Sequence, residues 1–394
     1  MNILIAALVL AALGGSPDLQ SVLDDMRESQ DVPGISAVIV SKLGVVFAGA
    51  SGVANLESSE RMTADSVIYA GSLSKLLTAA LVLQLVEQGS LSLADEVDGI
   101  GDGSRSVTVE HLLTHSAGLP REGDFGYWFS ADFPDATELA GFLATTDLRS
   151  APGESLHYSN IGYAALGSVV EQVTEQTFDA ALRERVIEPL DMNASGARGP
   201  ASGVANGYTP TGRIIPSADR PFAGVGRQVG NRHVRMYHDA RAMSPAFGAY
   251  TSASDLGRLA QFLLGCGNDA VLSVAMRQHM FEIQPSGWGL GIRIESLNGR
   301  TVARHGGWFA AHRSHLLLDI DMGIGIVVMA NADNADPAAI AEELLRTIFA
   351  SRTTARASQC GDKRQSTRTD GSPRVPARRP PAPGALQAGC CADN

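Results

Sequence analysis

The sequence predicts an α+β fold: an antiparallel sheet flanked by N- and C-terminal helices, with an all-helical lobe inserted between the first and last strands. Three observations lead there. Strand-like runs occur near the two ends of the chain, at residues 35–40 and 45–49 and again in four runs between residues 287 and 331. The connections within each set are too short for crossovers, so neighbours must be antiparallel. Between the two sets, residues 73–86 are apolar on every face, which demands burial in the middle of a sizeable protein.

In chain order, residues 19–27 read as a short amphipathic helix ended near Pro33-Gly34. Lys42-Leu43-Gly44 joins the first two strands as a hairpin. The central helix starts at Ser72 and meets no Gly or Pro before Gly89. A short helix over 108–120 is stopped by Gly118 and Pro120, and helices follow at 164–173 and 180–186. Residues 196–248 are rich in Gly, Pro and Arg and predict turns and short hairpins. The stretch 252–255 caps a helix over 256–264. Strands are expected at 287–294, 301–307, 314–319 and 323–331, and Pro337 opens a last helix to residue 350.

The bulk numbers exclude some functions. Of 394 residues, 42 are acidic and 31 basic, and the balance is uneven. Residues 351–394 carry a net +5, which leaves −16 for the rest, too acidic a body for nucleic acid as the main partner. Of the four cysteines, Cys266 stands alone in the body, so there is no disulfide framework or zinc-ligand spacing, and neither metal nor cofactor is expected. Residues 3–13 form an apolar run too short to span a bilayer but suited to a signal-peptide core. The expected organisation is a signal peptide at 1–15, one domain at 16–350, and a basic Pro/Arg-rich tail at 351–394 without a core. Export to the periplasm or medium follows if the leader is real, and a cytoplasmic location if it is not.

The chemistry concentrates at the start of the central helix. Ser72 and Lys75 are three apart and share one face. An ammonium near a helix N-terminus meets the positive end of the macrodipole, and burial opposes it further. A neutral amine one turn from a hydroxyl is a general base beside a nucleophile. To act near neutrality its pKa must fall from about 10.4 by roughly 3 units, on the order of 4 kcal/mol. The plainer reading is a capping serine and a lysine that reaches solvent.

Two other groups merit notice. His111 and His115 sit four apart, as in zinc proteases, but Leu-Leu-Thr between them supplies no glutamate base, so hydrogen bonding is the expected role. Phe125-Gly126-Tyr127-Trp128-Phe129 is either a loop anchor or an apolar wall for a substrate's acyl group.

Three motifs in order then carry a resemblance. Ser72-Leu73-Ser74-Lys75 matches Ser-x-x-Lys, Tyr158-Ser159-Asn160 matches Tyr-x-Asn, and His305-Gly306-Gly307 matches the Lys-Thr-Gly or His-x-Gly strand motif. With the flanks 111–119 and 158–163, residues 19–350 resemble the serine β-lactamase and penicillin-recognising superfamily in its class C-like branch. That branch includes D-alanyl-D-alanine carboxypeptidases, D-aminopeptidases and family VIII carboxylesterases.

The resemblance implies that Ser72 is acylated while Lys75 and Tyr158 manage its proton, with the division between them left open. Asn160 would position the substrate carbonyl and tether Lys75. The backbone N–H groups of Ser72 and Trp308 would hold the oxyanion, beside His305 and Gly307. Two departures bear on substrate. His305, partly charged near neutral pH, and Gly306 stand where β-lactamases hold a carboxylate with Lys and Thr, and Arg313 is a candidate substitute. The expected partner is therefore a small ester, amide or lactam. A carboxylesterase leads, with a D-alanyl-D-alanine carboxypeptidase, D-aminopeptidase or weak β-lactamase as alternatives, and a non-catalytic binding or self-assembling protein of the same fold as the rival from another class.

Overall fold

Apolar strand-like runs near both ends of the chain converge on one sheet. The computed structural model describes residues 18–350 apart from 102, 124–125, 131, 199–202, 212–224, 236–238 and 285. The expected leader at 1–15 and tail at 351–394 lie outside the described residues. Helix α1 (Leu19–Ser29), capped by Asp18, precedes strands β1 (Gly34–Ser41), β2 (Gly44–Asn55) and β3 (Glu60–Arg61). Short β4 (Ile68–Tyr69) leads into helix α2 (Ser74–Glu87).

The helical segments that follow are α3 (Val109–Leu113), α4 (Tyr127–Ser130), α5 (Ala136–Thr145), α6 (Asn160–Thr174) and α7 (Phe178–Leu182). A small three-stranded sheet comprises β5 (Tyr208–Pro210), β6 (Val225–Val229) and β7 (Arg232–Arg235), and β8 (Tyr250–Thr251) pairs with β4. After α8 (Ala253–Leu263) and α9 (Val274–Met280) come β9 (Arg293–Leu297), β10 (Arg300–Phe309), β11 (His312–Asp319) and β12 (Ile324–Ala330), then α10 over residues 337–350.

The large sheet runs β3-β2-β1-β12-β11-β10-β9, with antiparallel neighbours throughout. The last strand thus inserts beside the first, with Ile35 opposite Ala330. Every residue of β12 is buried, as a strand covered on both faces must be.

Three expectations need correction. The α-helix begins at Ser74, not Ser72, because residues 71–73 form a tighter 3-10 turn. Residues 287–292 are not strand, and β9 starts only at Arg293. Gly287 and Gly291 take positive φ there, and a Cβ on Gly291 would sit 2.5 Å from the Ala79 Cβ, so glycine lets this segment press against α2. The helix predicted at 180–186 is α7 followed by one wider turn over Arg183–Ile187.

Candidate active site

The first turn of α2 is docked by the buried hydroxyls of Ser74 and Thr78, which apolar patterning does not mark. The Ser74 hydroxyl donates to the Gly71 carbonyl at 2.7 Å and accepts from the Ala249 N–H at 3.0 Å. The Thr78 hydroxyl donates to the Pro245 carbonyl at 2.7 Å. Between them Lys75 is 0% exposed. Its Nζ donates to Asn160 Oδ1 and to the Ala246 carbonyl, each at 2.7 Å, and lies 3.4 Å from Ser72 Oγ. Burial drives the Lys75 pKa well below the ordinary lysine value, the Glu122 carboxylate pulls it back up, and Arg121 pushes it down again.

Tyr158 faces the same serine. Its hydroxyl is hydrogen-bonded with the Ser72 side chain, and its ring centroid lies 5.0 Å from Lys75 Nζ. Burial pushes the phenol up to about 12, partly countered by the Ser72 hydrogen bond and by Arg121. The phenol is therefore neutral at physiological pH. Asn160 opens α6, where its Nδ2 donates to Glu122 Oε1 at 2.5 Å while its Oδ1 accepts from Lys75. The other Glu122 oxygen accepts from the Tyr127 hydroxyl.

β9 pairs with β10 only as far as Arg304, which leaves the 305–309 edge open toward the turn that carries Ser72. Ala310 and Ala311, both at positive φ, close the tight β10–β11 hairpin between Phe309 and His312. Bonded and non-bonded pairs alternate from that closing pair, so the Trp308 N–H points away from β11 to the open edge. Gly307 and Gly71 allow the approach. A Cβ on Gly307 would lie 2.1 Å from the Ala70 carbonyl oxygen, and one on Gly71 would lie 2.3 Å from the Trp308 nitrogen.

His305 is buried on this edge, its Nδ1 within 2.8 Å of the Gly306 carbonyl and its Nε2 without a partner among the described residues. Burial first, then Lys75, pushes its pKa down to about 3. The expectation of a partly charged imidazole is thus corrected: the Tyr158 and Trp288 rings pack against the imidazole and help bury it, which a sequence pattern does not report.

Ser72, Tyr158, Asn160, His305, Gly307 and Trp308 all line one cavity of about 950 Å³, with Lys75 at its floor. Trp128 forms part of its wall, 5.3 Å from Trp308 and 5.2 Å from Phe247, ring centre to ring centre. Arg313 also reaches the cavity, and its Nε donates to the Asp333 carbonyl at 3.2 Å.

Sequence reasoning missed Arg121, Glu122, Phe247 and Trp288, which line the same cavity. Arg121-Glu122 directly follow Pro120 in the quoted flank, and that proximity was the only available signal. His111 and His115 serve different hydrogen bonds. His111 Nδ1 accepts from the Thr108 N–H in a capping box, and His115 Nδ1 accepts from the Ser159 N–H.

This fold, with its cleft between sheet and helices, defines the class of serine hydrolases built like β-lactamases. The Beta-lactamase family profile matches residues 19–349, and the chain belongs to that family. Penicillin-binding protein 4 of Amycolatopsis lactamdurans is 34% identical over 184 residues, 45% of this chain but only 48% of that relative. Esterase EstB of Burkholderia gladioli is 26% identical over 357 residues, 79% of this chain and 89% of its own. Among solved structures, the octameric penicillin-binding protein homologue from Pyrococcus abyssi superposes with a TM-score of 0.70 at 25% identity, covering 84% of this chain and 77% of that one. Among the described residues, no helix is long and apolar enough to cross a membrane.

Proposed function

We propose that the protein is a carboxylesterase that hydrolyses small esters through an acyl-enzyme on Ser72. The hydrogen bonding of Lys75 carries this reading. A neutral amine has two N–H bonds and one lone pair. Asn160 Oδ1 and the Ala246 carbonyl accept the two hydrogens at 2.7 Å, which leaves the lone pair for the Ser72 hydroxyl at 3.4 Å. Lys75 then takes the Ser72 proton as Oγ attacks the ester carbonyl. The backbone N–H groups of Ser72 and Trp308 receive the oxyanion, an arrangement in which each donor is worth roughly 10²–10³ in rate.

Tyr158, a neutral phenol against the same hydroxyl, protonates the departing alkoxide, and the proton held by Lys75 restores it. Water repeats the sequence in place of the alcohol and frees Ser72. Trp128, Phe247 and Trp308 give the acyl group an apolar wall. Arg121 and Arg313 line the cavity, the latter donating to the Asp333 carbonyl, but a neutral His305 beside Gly306, which has no hydroxyl, gives the strand motif itself no charged anchor for a lactam carboxylate. That supports ester over lactam, as does the length of the match to EstB. The apolar run at 3–13 supports export, which fractionation of cells expressing the full chain tests.

The decisive assay compares short-chain nitrophenyl esters, a chromogenic cephalosporin and a D-alanyl dipeptide, with Ser72→Ala as control. Ester turnover lost in Ser72→Ala is the expected result. Turnover of the dipeptide alone would favour a peptidase, and ester turnover that survives Ser72→Ala would overturn the mechanism.

A further inference from the structure

We infer that His115 is a positioning residue that clamps Tyr158 in register with Ser72, an inference that rests on the reading of Tyr158 as the leaving-group acid. Three contacts from this one residue bracket Tyr158. The His115 carbonyl accepts from the His157 N–H at 2.8 Å, its Nδ1 accepts from the Ser159 N–H at 3.1 Å, and its ring stacks on the Tyr158 ring with centroids 4.3 Å apart. The residues before, at and after 158 are each held by the same residue.

The clamp requires an unusual backbone. His115 has φ 57°, in the left-handed region, which residues other than Gly seldom adopt and which His, like Asn and Asp, enters more readily than most. That conformation directs both the carbonyl and the imidazole at the 157–159 segment, and the strain persists because the surroundings are over-determined. The ring is 1% exposed and wedged among Tyr158, Tyr163 and the edge of Trp288. The Tyr163 hydroxyl donates to the Leu113 carbonyl at 2.8 Å, which ties the ring's far side to α3. Further along, the Ser159 hydroxyl donates to the Pro120 carbonyl and the Asn160 N–H to the Arg121 carbonyl, each at 2.8 Å. The 115–121 segment therefore lies against 157–160 residue by residue, with His115 at the Tyr158 end.

Because Nδ1 must accept from Ser159, the imidazole proton sits on Nε2 and the ring is neutral. Burial, with Lys75, His305 and Arg121 all facing it, disfavours any second proton. The ring thus brings an aromatic face to Tyr158 without adding a cation next to Lys75.

Two substitutions separate the two side-chain contacts. His115→Asn tolerates the left-handed backbone and keeps an acceptor at the position of Nδ1, but loses the ring. His115→Phe keeps a ring and loses the acceptor. The assay compares methyl esters, whose alkoxide must be protonated to leave, with nitrophenyl esters, whose phenolate need not be. Rates are normalised to sites titrated with a fluorophosphonate, and melting temperatures are recorded alongside. The expected result is a loss in kcat/KM, which reports acylation alone, of at least about tenfold on methyl esters and under about threefold on nitrophenyl esters, with the same but larger split in Tyr158→Phe. Equal losses on both esters, or none, in the His115 variants while Tyr158→Phe still splits them would overturn the clamp. If His115→Phe does not fold, His115→Asn alone decides. Absence of a split in Tyr158→Phe itself would remove Tyr158 as the acid, and the inference would fall with it.

Discussion

Gly71 and Trp308 meet backbone to backbone, so close that a Cβ on Gly71 would lie 2.3 Å from the Trp308 nitrogen. Gly71 also takes φ 55°, which L side chains rarely adopt. Gly71→Ala is therefore expected to push the turn carrying Ser72 away from the β10 edge. Its kcat should fall by roughly 10²-fold or more, the loss typical of one oxyanion donor, while KM changes less. Steady-state kinetics on a nitrophenyl ester read this directly, and wild-type kcat would show that the contact has no part in catalysis.

Arg121 and Glu122 act on Lys75 with opposite signs. In the proposed mechanism turnover requires neutral Lys75, so kcat/KM should rise with pH until that amine is deprotonated. Glu122→Gln removes the charge that favours the ammonium and should move this acid limb to lower pH. Arg121→Gln removes a charge that disfavours the ammonium and should move it to higher pH. Shifts in the same direction for both variants would rule out electrostatic control of Lys75 from this pair.

Trp128 stacks between Trp308 and Phe247 at the cavity wall. Trp128→Ala should cost about 1–3 kcal/mol in discrimination between long and short acyl chains. Unchanged kinetics across a series of nitrophenyl esters would reject the wall.

Buried neutral histidines make the fold sensitive to acid. His305 is pushed down to about 3, and His312 and His315 to about 4, each chiefly by burial. In the unfolded chain these groups bind protons below about 6.5, while in the folded one they do not until pH 3–4. Stability is thus present above about pH 6.5 and declines as pH falls toward 4, by up to about 1.4 kcal/mol per pH unit for each imidazole. Urea unfolding at pH 7 and pH 5 should show a lower midpoint at pH 5, and equal midpoints would contradict the buried, neutral assignment.

How much of this was legible in the sequence varies with the kind of feature. The Ser72–Lys75 pair was readable because helical spacing alone puts both groups on one face, and the chain has so few lysines. The sheet was readable because short connections between apolar runs leave one pairing sense. The Ala246 carbonyl that holds Lys75 was not, since a backbone acceptor 171 residues away leaves no trace in residue type. Glu122 was missed for a related reason. It sits in a loop without periodicity, and its importance comes from the Asn160 amide and Tyr127 hydroxyl it meets and from its charge near Lys75. The false strand at 287–292 shows alternation misread, because Gly289 serves close approach to the Met280 carbonyl and Gly291 close approach to α2, not a pleated face.

The pairing of β1 with β12 has a consequence for how the protein is made. Ile35 cannot meet Ala330 until nearly the whole domain has left the ribosome. At typical elongation rates that is a delay of roughly 15–60 s. During that interval the amino-terminal hairpin has one bare flank, and the segment that will cover it does not yet exist. That flank is an unpaired strand edge, the kind of surface on which two nascent chains would pair if they met.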